Sequence, residues 1–256
     1  MKILVTGYKG FIGSHIASSL SEHDVEVYEW EQPYPGVIDY DWVIHIGGIS
    51  STTERNIEKI MRQNYDFSCQ LFDDCKTFGV NFQFASSASV YGLGLDFRED
   101  SPPDPRTPYA WSKYLFERYA MKNLGGNIVQ IFRYFNVYGP GEEHKGDQAS
   151  PFTQFERQVK KTGQVKVFRG SDEFHRDFIH VDKIVSLHKT FLNIPESGIW
   201  NFGTGKTMSF MEIAKKFTDN IVEVDVPEKL KDSYQKYTCA DPAKLKLTLR
   251  TYSSTK

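Results

Sequence analysis

The chain has 256 residues, 39% of them hydrophobic, which is enough to bury one large or two small cores and excludes a disordered tail. Its formal net charge is −2, with lysine and arginine spread along the chain, so we expect no nucleic-acid partner. Three cysteines, Cys69, Cys75 and Cys239, fit neither a disulfide framework nor a zinc-ligand spacing. We therefore expect free thiols, no metal site and a reducing compartment.

Short β-branched runs alternate with longer helical patterns over the first half of the chain, which predicts a parallel sheet covered on both faces. The predicted strands are residues 2–6, 25–28, 42–46, 81–87 and 128–134. The predicted helices are residues 11–22, 54–78 and 109–123. The sequence pattern changes after Gly139, which predicts a smaller second region. The predicted fold is α/β, a Rossmann-like doubly wound parallel sheet with a small C-terminal region.

A glycine-rich turn, VTGYKGFIG, ends the first predicted strand and opens the first predicted helix. The spacing of Gly7, Gly10 and Gly13 lets the turn tighten and the backbone approach a pyrophosphate at the helix N-terminus. The glycines alone are also compatible with a turn that only packs. Glu29 closes the second strand about twenty residues on, where an acid can accept hydrogen bonds from an adenosine ribose. This order of elements favours a dinucleotide site.

The segment TPYAWSK, residues 107–113, places a tyrosine and a lysine four positions apart at the start of a helix. Thr107 can cap this helix and Pro108 suits its first position, so Tyr109 and Lys113 lie on one face. We expect Lys113, the positive helix end and an oxidised nicotinamide to lower the tyrosine pKa from about 10. The phenolate could then take a proton from a substrate hydroxyl as hydride leaves its carbon. An ordinary exposed pair on a helix stays open as the alternative.

The stretch FASSASVYG favours the catalytic interpretation of this pair. It follows a predicted strand, so its hydroxyls are expected at the C-terminal edge of the sheet, where open α/β folds bind ligands. A serine in this stretch could hydrogen-bond the same substrate oxygen as Tyr109.

Together, the segments TGYKGFIG, SSASVYG, YAWSK and FRYFNVYGPG resemble the extended short-chain dehydrogenase/reductase family of nucleotide-sugar epimerases, dehydratases and reductases. Later segments are similar to the ADP-heptose 6-epimerase branch in order and spacing: SSTTE, NVYGPGEEHKGDQAS, GSDEFHRDFIHV, GIWNFGTGKTMSF and PEKLKDSYQKYTCAD. The likeness covers most of the chain. The EEHKG and LKDSYQ segments are specific to that branch.

The resemblance implies a redox-neutral inversion of a sugar carbinol carbon, in which bound NAD or NADP takes hydride and returns it to the other face. It implies that Tyr109 is one acid/base, that Lys113 tunes it and holds the nicotinamide ribose, and that Ser87 binds the reacting oxygen. Lys145 matches the position of a second acid/base that serves the opposite stereochemistry. A phosphate-contacting or solvated loop lysine stays open as the alternative for Lys145.

The resemblance also implies two sets of contact residues and a division of the chain. The cofactor-binding positions are Gly7, Lys9, Gly10, Phe11, Ile12, Gly13, Glu29, Gly47, Gly48, Gln63, Lys113 and Val137. The substrate-binding positions are Ser87, Asn136, Phe168, Gly170, Ser171, Arg176 and Tyr234. Arg176 suits a bidentate grip on a diphosphate. The dinucleotide-binding domain is expected at residues 1–135, with 178–204 returning to it, and the substrate-binding region at 136–177 and 205–256.

The chain departs from the family pattern in the cofactor domain. Only eleven residues separate Glu29 from Asp41, so the usual third strand and the helix before it are expected to be missing. Part of the adenine pocket and some cofactor affinity would go with them. Trp30 and Glu31 follow the acid where NADP-preferring relatives carry an asparagine, whereas Lys9 sits where some relatives hold the 2′-phosphate. The choice between NAD and NADP therefore stays open.

The leading interpretation is an NAD(P)-dependent nucleotide-sugar epimerase that resembles ADP-heptose 6-epimerase. A related dehydratase or keto-sugar reductase is the first alternative, although Ala88 and Ser89 stand where dehydratases usually carry an acidic pair. A catalytically inactive sugar-nucleotide-binding protein is the second. We expect a nucleotide-diphosphate sugar as substrate and, from family habit, a homo-oligomer. A cytoplasmic protein without a membrane partner is expected, because no stretch approaches the ~20 apolar residues of a membrane helix and the first residues run directly into a strand.

Overall fold

A computed structural model describes residues 1–226 and 235–253. The strands are β1 (Lys2–Thr6), β2 (Asp24–Tyr28), β3 (Trp42–His45), β4 (Asn81–Ser87), β5 (Val129–Tyr134), β6 (Asn136–Tyr138), β7 (Val165–Phe168), β8 (His175–His180), β9 (Gly198–Phe202), β10 (Thr207–Ser209), β11 (Ile221–Val224) and β12 (Tyr237–Thr238). The α-helices are α1 (Phe11–Ser19), α2 (Ile57–Ile60), α3 (Phe67–Phe78), α4 (Pro108–Lys122), α5 (Pro151–Thr162), α6 (Val181–Phe191), α7 (Phe210–Ala214) and α8 (Ala243–Ser253).

The main sheet is parallel, with six strands in the order β2-β1-β3-β4-β5-β9. Every side chain of β3 and β5 is buried, as expected for strands covered on both faces. On one face Phe82 packs against Phe116 of α4, and on the other Phe132 packs against Phe191 of α6. The predicted doubly wound α/β sheet is confirmed.

Strand β2 forms one edge of the main sheet. It pairs with β1, which pairs on its other side with β3, and residues 29–41 lead from β2 directly to β3. Within residues 1–226 and 235–253 no strand lies outside β2, and three of its five side chains are exposed. The predicted loss of the third strand is therefore confirmed.

The long helix predicted over residues 54–78 begins later and is interrupted. It starts at Ile57, because the side chain of Asn56 accepts a hydrogen bond from the backbone N–H of Lys59 at 2.9 Å and caps the first turn. A π-helical segment, Met61–Asp66, joins α2 to α3. The predicted helix over 11–22 is also shorter, since α1 ends at Ser19.

Most strands in the second half of the chain form two smaller sheets. Strand β8 pairs with β6, β10 and β12, and β7 pairs with β11. The buried carboxylate of Asp177, on β8, accepts hydrogen bonds from the backbone N–H groups of Thr204, Gly205 and Ala240 at 2.8 to 3.1 Å. This carboxylate therefore ties β8 to two later segments of the chain. No helix in the described part of the chain has both the length and the apolar character to cross a membrane.

Candidate active site

The turn between β1 and α1 allows close approach to its backbone. Gly7 has a φ of +74°, and a Cβ atom on Gly13 would lie 2.0 Å from the carbonyl oxygen of Gly7. Helix α1 begins at Phe11 without a side-chain cap from Gly10, so its first N–H groups point to the space before the helix. A side chain at position 13 would clash with the backbone of Gly7, so only glycine allows α1 to pack this closely against the turn. A turn of this kind at a helix N-terminus fits the pyrophosphate of a dinucleotide.

Two adjoining cavities open at the C-terminal edge of the main sheet. The central pocket, of about 230 Å³, is lined by Gly7, Gly10, Phe11, Ile12, Gly13, Glu29, Ile46, Gly47, Gly48, Ile49, Ser50, Ala85, Ser86, Tyr109, Lys113, Tyr134, His144 and Lys145. The edge pocket, of about 190 Å³, is lined by Thr6, Gly7, Tyr28, Glu29, Trp30, Glu31, His45, Gly47, Gly48, Ile49, Gln63 and Phe67. The glycine turn and Glu29 border both pockets.

Helix α4 brings the tyrosine and the lysine to the central pocket. The side chain of Thr107 accepts a hydrogen bond from the N–H of Ala110 at 3.1 Å, and the helix begins at Pro108, as predicted. The Nζ atom of Lys113 lies 5.9 Å from the centroid of the Tyr109 ring. Because Lys113 also donates to the carbonyl oxygen of Ala85 at 2.9 Å, the end of β4 fixes its ammonium group.

The predicted lowering of the Tyr109 pKa is wrong. Burial raises this pKa, and a hydrogen bond with Ser87 lowers it by less, because α4 packs its first turn against the sheet and removes water from the phenol. Burial also lowers the pKa of Lys113 to about 8, against the opposing effect of the Glu117 carboxylate. Burial therefore moves the two pKa values in opposite directions and further apart than those of the free side chains, because it disfavours the charged form of each group.

A buried ionic network lies beneath this pair. The carboxylate of Glu117 accepts hydrogen bonds from Ser86 Oγ at 2.5 Å and from Arg133 Nη2 at 2.7 Å. Arg133 also donates to the carbonyl oxygen of Glu99 at 3.2 Å. Sequence reasoning missed this network. In the sequence, Glu117 could have indicated it, because this acid follows Lys113 by one helical turn.

A second buried network ends at Tyr134 in the wall of the central pocket. The Nε2 group of Gln130 donates to the carbonyl oxygens of Phe191 and Ile194, so its Oε1 atom must be the acceptor for Gln83 Nε2. Gln83 Oε1 then accepts from His188 Nδ1 at 2.7 Å, which leaves His188 Nε2 as the acceptor for the Tyr134 hydroxyl at 2.5 Å. Burial raises the pKa of Tyr134, so this phenol keeps its proton and directs it away from the pocket.

The π-helical segment places Gln63 at the edge pocket and Asn64 behind the loop of residues 47–49, which lines both pockets. Asn64 is buried, and its amide accepts from the backbone N–H of Ile49 at 2.7 Å and donates to the Ile49 carbonyl oxygen at 2.9 Å. A Cβ atom on Gly48 would lie 2.8 Å from Asn64 Oδ1, so the loop after β3 can take this position only with glycine. Gln63, a predicted cofactor contact, lines the edge pocket. Insertions of this kind are frequent at functional sites.

Lys145 lies on a 3₁₀ segment, Glu143–Gln148, that folds over the start of α1. Its Nζ atom is 5.2 Å from the centroid of the Phe11 ring and 3.6 Å from Glu142 Oε2. The buried carboxylate of Glu142 also accepts from the N–H of Gly139 at 3.1 Å and from the N–H of Ser150 at 2.7 Å. Lys145 lines the same pocket as Tyr109 and lies beside the first residue of α1.

The predicted substrate contacts are more scattered. Phe168 and Ser171 line a separate cavity of about 450 Å³ beside α5, and no described residue hydrogen-bonds the buried Ser171 Oγ atom. Asn136 donates to the carbonyl oxygen of Asp177 at 3.1 Å. Arg176 Nη1 donates to the carbonyl oxygen of His175 at 2.9 Å, and its Nη2 donates to the Gln235 carbonyl oxygen.

Four other predicted contact residues remain, and they lie in different parts of the chain. Gly170 has a φ of +79° in the turn before Ser171. Val137 packs against the core between the main sheet and α6. The side chain of Lys9 is exposed, with its Nζ atom 5.9 Å from the centroid of the Tyr8 ring. Tyr234 lies outside the described residues.

Known proteins match both the sequence and the fold. ADP-L-glycero-D-manno-heptose-6-epimerase from Brachyspira hyodysenteriae is 36% identical, over 95% of this chain and 90% of that protein. The enzyme of the same name from Alkalilimnicola ehrlichii has the same identity and coverage. The Helicobacter pylori ADP-L-glycero-D-manno-heptose-6-epimerase structure shares the fold with a TM-score of 0.87, at 24% identity, over 97% of this chain and 90% of that one. The sequence pattern of the NAD dependent epimerase/dehydratase family matches residues 36–203, and the chain belongs to that family.

Proposed function

We propose that the chain is an NAD(P)-dependent nucleotide-sugar epimerase that inverts a carbinol carbon of an ADP-heptose-like substrate. The observation that carries this proposal is the single pocket that joins Tyr109, Lys113 and Lys145 to the glycine turn. The names of the two sequence relatives support the choice of substrate. When bound, NAD or NADP supplies the acceptor and donor of hydride.

The residues of α4 and β4 handle the proton on one face of the sugar. Ser87, at the end of β4, hydrogen-bonds Tyr109 and so orients its oxygen toward a substrate hydroxyl. In its phenolate form, Tyr109 accepts the hydroxyl proton as the carbon loses hydride, and as the phenol it returns a proton in the reverse sense. Lys113 favours the phenolate when its ammonium is charged, and its remaining N–H groups can hold the nicotinamide ribose. Burial of both side chains excludes bulk water from the proton transfer.

Lys145 serves as the second acid/base. It lines the pocket on the side of α1, whereas Tyr109 lines it on the side of α4, so the two groups can address opposite faces of a sugar between them. After the carbinol carbon becomes a ketone, rotation of the sugar presents its other face. Where this rotation carries the carbonyl oxygen away from Tyr109, Lys145 supplies its proton.

We also propose that residues 1–135 with 178–204 bind the dinucleotide and that residues 136–177 and 205–256 bind the nucleotide sugar. The cavity beside Phe168 and Ser171 supports the second assignment, because its aromatic walls suit a nucleotide base. A homo-oligomeric, cytoplasmic enzyme completes the proposal and rests on the family resemblance and the absence of paired cysteines in the sequence.

The test is turnover of ADP-heptose by the purified protein in D₂O, followed by NMR of the product. Epimerisation through bound cofactor returns the same hydride, so the product should be inverted and should carry no deuterium at the inverted carbon. Loss of water with deuterium uptake would identify a dehydratase, and stoichiometric consumption of added NADPH with a keto-sugar would identify a reductase. Binding of the sugar nucleotide without any turnover would favour the non-enzymatic alternative.

A further inference from the structure

Helix α5 contacts the backbone of the segment that carries Lys145. Arg157, in the second turn of α5, donates from Nη2 to the carbonyl oxygen of Glu143 at 2.7 Å. From Nη1 it donates to the carbonyl oxygen of Gly146 at 3.3 Å. These two carbonyl groups stand on either side of Lys145 in the chain. One guanidinium group therefore holds the backbone both before and after the proposed second acid/base.

The segment depends on contacts of this kind because it is short and interrupted. The 3₁₀ segment Glu143–Gln148 changes direction at Gly146, which has a φ of +53°. Hydrogen bonds in 3₁₀ turns have poor geometry, and runs longer than three or four residues are uncommon. Lys145 directly precedes this change of direction. The hydrogen bonds from Arg157 fix the backbone at the point where the segment itself is weakest.

The ammonium end of Lys145 is connected to the same helix. Its Nζ atom lies 3.6 Å from Glu142 Oε2. The Glu142 carboxylate accepts hydrogen bonds from Ser150 Oγ at 2.7 Å and from Thr153 Oγ1 at 3.2 Å, where α5 begins. A lysine side chain has a flexible four-carbon stem, so its position depends on what holds its two ends. Here the backbone is held through Arg157 and the Nζ atom through Glu142.

The same segment borders two cavities. His144 and Lys145 line the central pocket, whereas Asp147 lines the cavity beside α5. Gln154, which also lines the cavity beside α5, donates to the carbonyl oxygens of Asp147 at 3.1 Å and Ala149 at 2.7 Å. A shift of the segment would therefore move Lys145 relative to a sugar nucleotide bound across the two cavities.

We propose that Arg157 is a positioning residue for the inversion step, which it serves by fixing the backbone on both sides of Lys145. The inference rests on the proposed function, in which Lys145 is the acid/base for the second face of the sugar. Arg157 is not among the residues that line either cavity, so it acts through Lys145 and not through the substrate. Its effect falls on the half of the cycle that needs Lys145 and spares the half that needs Tyr109.

The experiment measures the two halves of the cycle separately in Arg157→Met. With substrate deuterated at the reacting carbon, mass spectrometry of the released cofactor measures hydride transfer through Tyr109, and NMR of the product measures inversion. We expect inversion to fall by roughly tenfold to a hundredfold, the scale of a misplaced catalytic group, while label transfer stays within about twofold of the wild type. Arg157→Lys keeps a donor that can reach one carbonyl oxygen, so it should recover part of the inversion. Lys160→Met, an exposed change on α5, is the matched control and should alter neither rate.

Amide hydrogen exchange supplies a measurement that does not depend on turnover. The backbone N–H of Lys145 donates to the Glu142 carbonyl oxygen at 2.9 Å, and that of Ala149 donates to the Gly146 carbonyl oxygen at 3.2 Å. Loss of the Arg157 donors should loosen both hydrogen bonds. In Arg157→Met, residues 142–149 should therefore exchange faster, whereas residues 107–123 should exchange as in the wild type.

The other outcomes count against the inference. Unchanged inversion in Arg157→Met, or unchanged amide exchange over residues 142–149, would overturn it and leave the epimerase proposal standing. Equal losses of inversion and of label transfer would show that Arg157 supports the whole fold and not Lys145 in particular. A wild-type protein that neither transfers label nor inverts the sugar would overturn the proposed function, and the inference would fall with it.

Discussion

Lys113 and Glu117, one turn apart on α4, carry opposite charges that are both buried, with exposed fractions of 5% and 1%. The ammonium of Lys113 faces the central pocket and donates to Ala85, whereas the carboxylate of Glu117 faces the sheet and binds Arg133. Burial lowers the pKa of Lys113 to about 8, and the Glu117 charge opposes this fall. One helix therefore carries the functional cation and the anion that helps to keep it protonated.

Lys113→Met should abolish turnover and change how stability depends on pH. The pKa of Lys113 is about 8 in the folded chain and ~10.4 in an unfolded one, so the unfolded state binds more protons between these values. The unfavourable contribution of Lys113 is thus constant below pH 8 and disappears as the pH rises toward 10. The free energy of unfolding of the wild type, measured with urea, should rise relative to that of the variant by on the order of 3 kcal/mol over this pH range. A difference that does not vary with pH would contradict the lowered pKa.

Glu117→Gln should destabilise the fold by about 3 to 5 kcal/mol, because it leaves the Arg133 charge buried without its partner. Replacing Glu117 and Arg133 together by leucine should cost less than Glu117→Leu and Arg133→Leu added together, because the double change leaves no unpaired buried charge. Chemical denaturation measures the free energy of unfolding of each variant. The exposed pair Lys160 and Glu156, 2.8 Å apart, is the matched control, and Glu156→Gln should cost less than about 0.5 kcal/mol. Equal losses of unfolding free energy at the two sites would show that the buried pair stabilises the fold no more than an exposed pair does.

Tyr109→Phe should lower kcat by about 10² to 10⁴ while the thermal midpoint stays close to that of the wild type. The hydroxyl leaves only its contact with Ser87, so the fold loses little. Tyr114→Phe removes a hydroxyl from the same helix, one that accepts from Arg118 at 3.2 Å, and it should retain full activity. If the two variants had equal turnover, Tyr109 would have no place in the mechanism.

Lys145→Met should block inversion and still permit half of the cycle. With Tyr109 intact, substrate labelled with deuterium at the reacting carbon should still transfer label to bound cofactor and back to the same face. Mass spectrometry of the released cofactor measures this exchange, with Lys160→Met as a control from an exposed helix face. Normal inversion by the Lys145 variant would return this residue to a phosphate-contacting or solvated role.

Gly13→Ala should remove dinucleotide binding without unfolding the protein. The added Cβ atom would lie 2.0 Å from the Gly7 carbonyl oxygen, so the turn must open and lose its shape. Gly126→Ala is the matched control, because a Cβ atom there meets nothing within 4 Å. Calorimetry with NAD should show binding by the control alone. Binding of equal strength by both variants would exclude the turn as the pyrophosphate site.

Local features of the fold could be predicted from the sequence. The start of α4 rests on a cap between Thr107 and Ala110, three residues apart, and this information is contained in the segment itself. The deletion after Glu29 could be counted directly, and β2 is accordingly the edge strand. Both predictions needed only neighbouring residues.

The missed features depend on partners that are distant in sequence. His188 and Gln83 are 105 residues apart, and only the assembled sheet makes them hydrogen-bond partners. The π-helical segment depends on the fit of Asn64 to the Ile49 backbone, which no periodicity records. The Tyr109 pKa was predicted in the wrong direction because nearby charges are visible in a sequence, whereas loss of hydration is a property of packing.

The position of β2 has a consequence for aggregation. An edge strand offers backbone N–H and C=O groups to any other extended chain, and natural sheets counter this with short strands and edge charges. Here the strand is five residues long, and Asp24 and Glu26 are exposed on it. Glu26 is anchored by Lys2 at 2.9 Å and by the Tyr40 hydroxyl at 2.5 Å, so its charge stays at the rim. A chain that has lost its outermost strand thus relies on these acids to keep its new edge from recruiting another molecule.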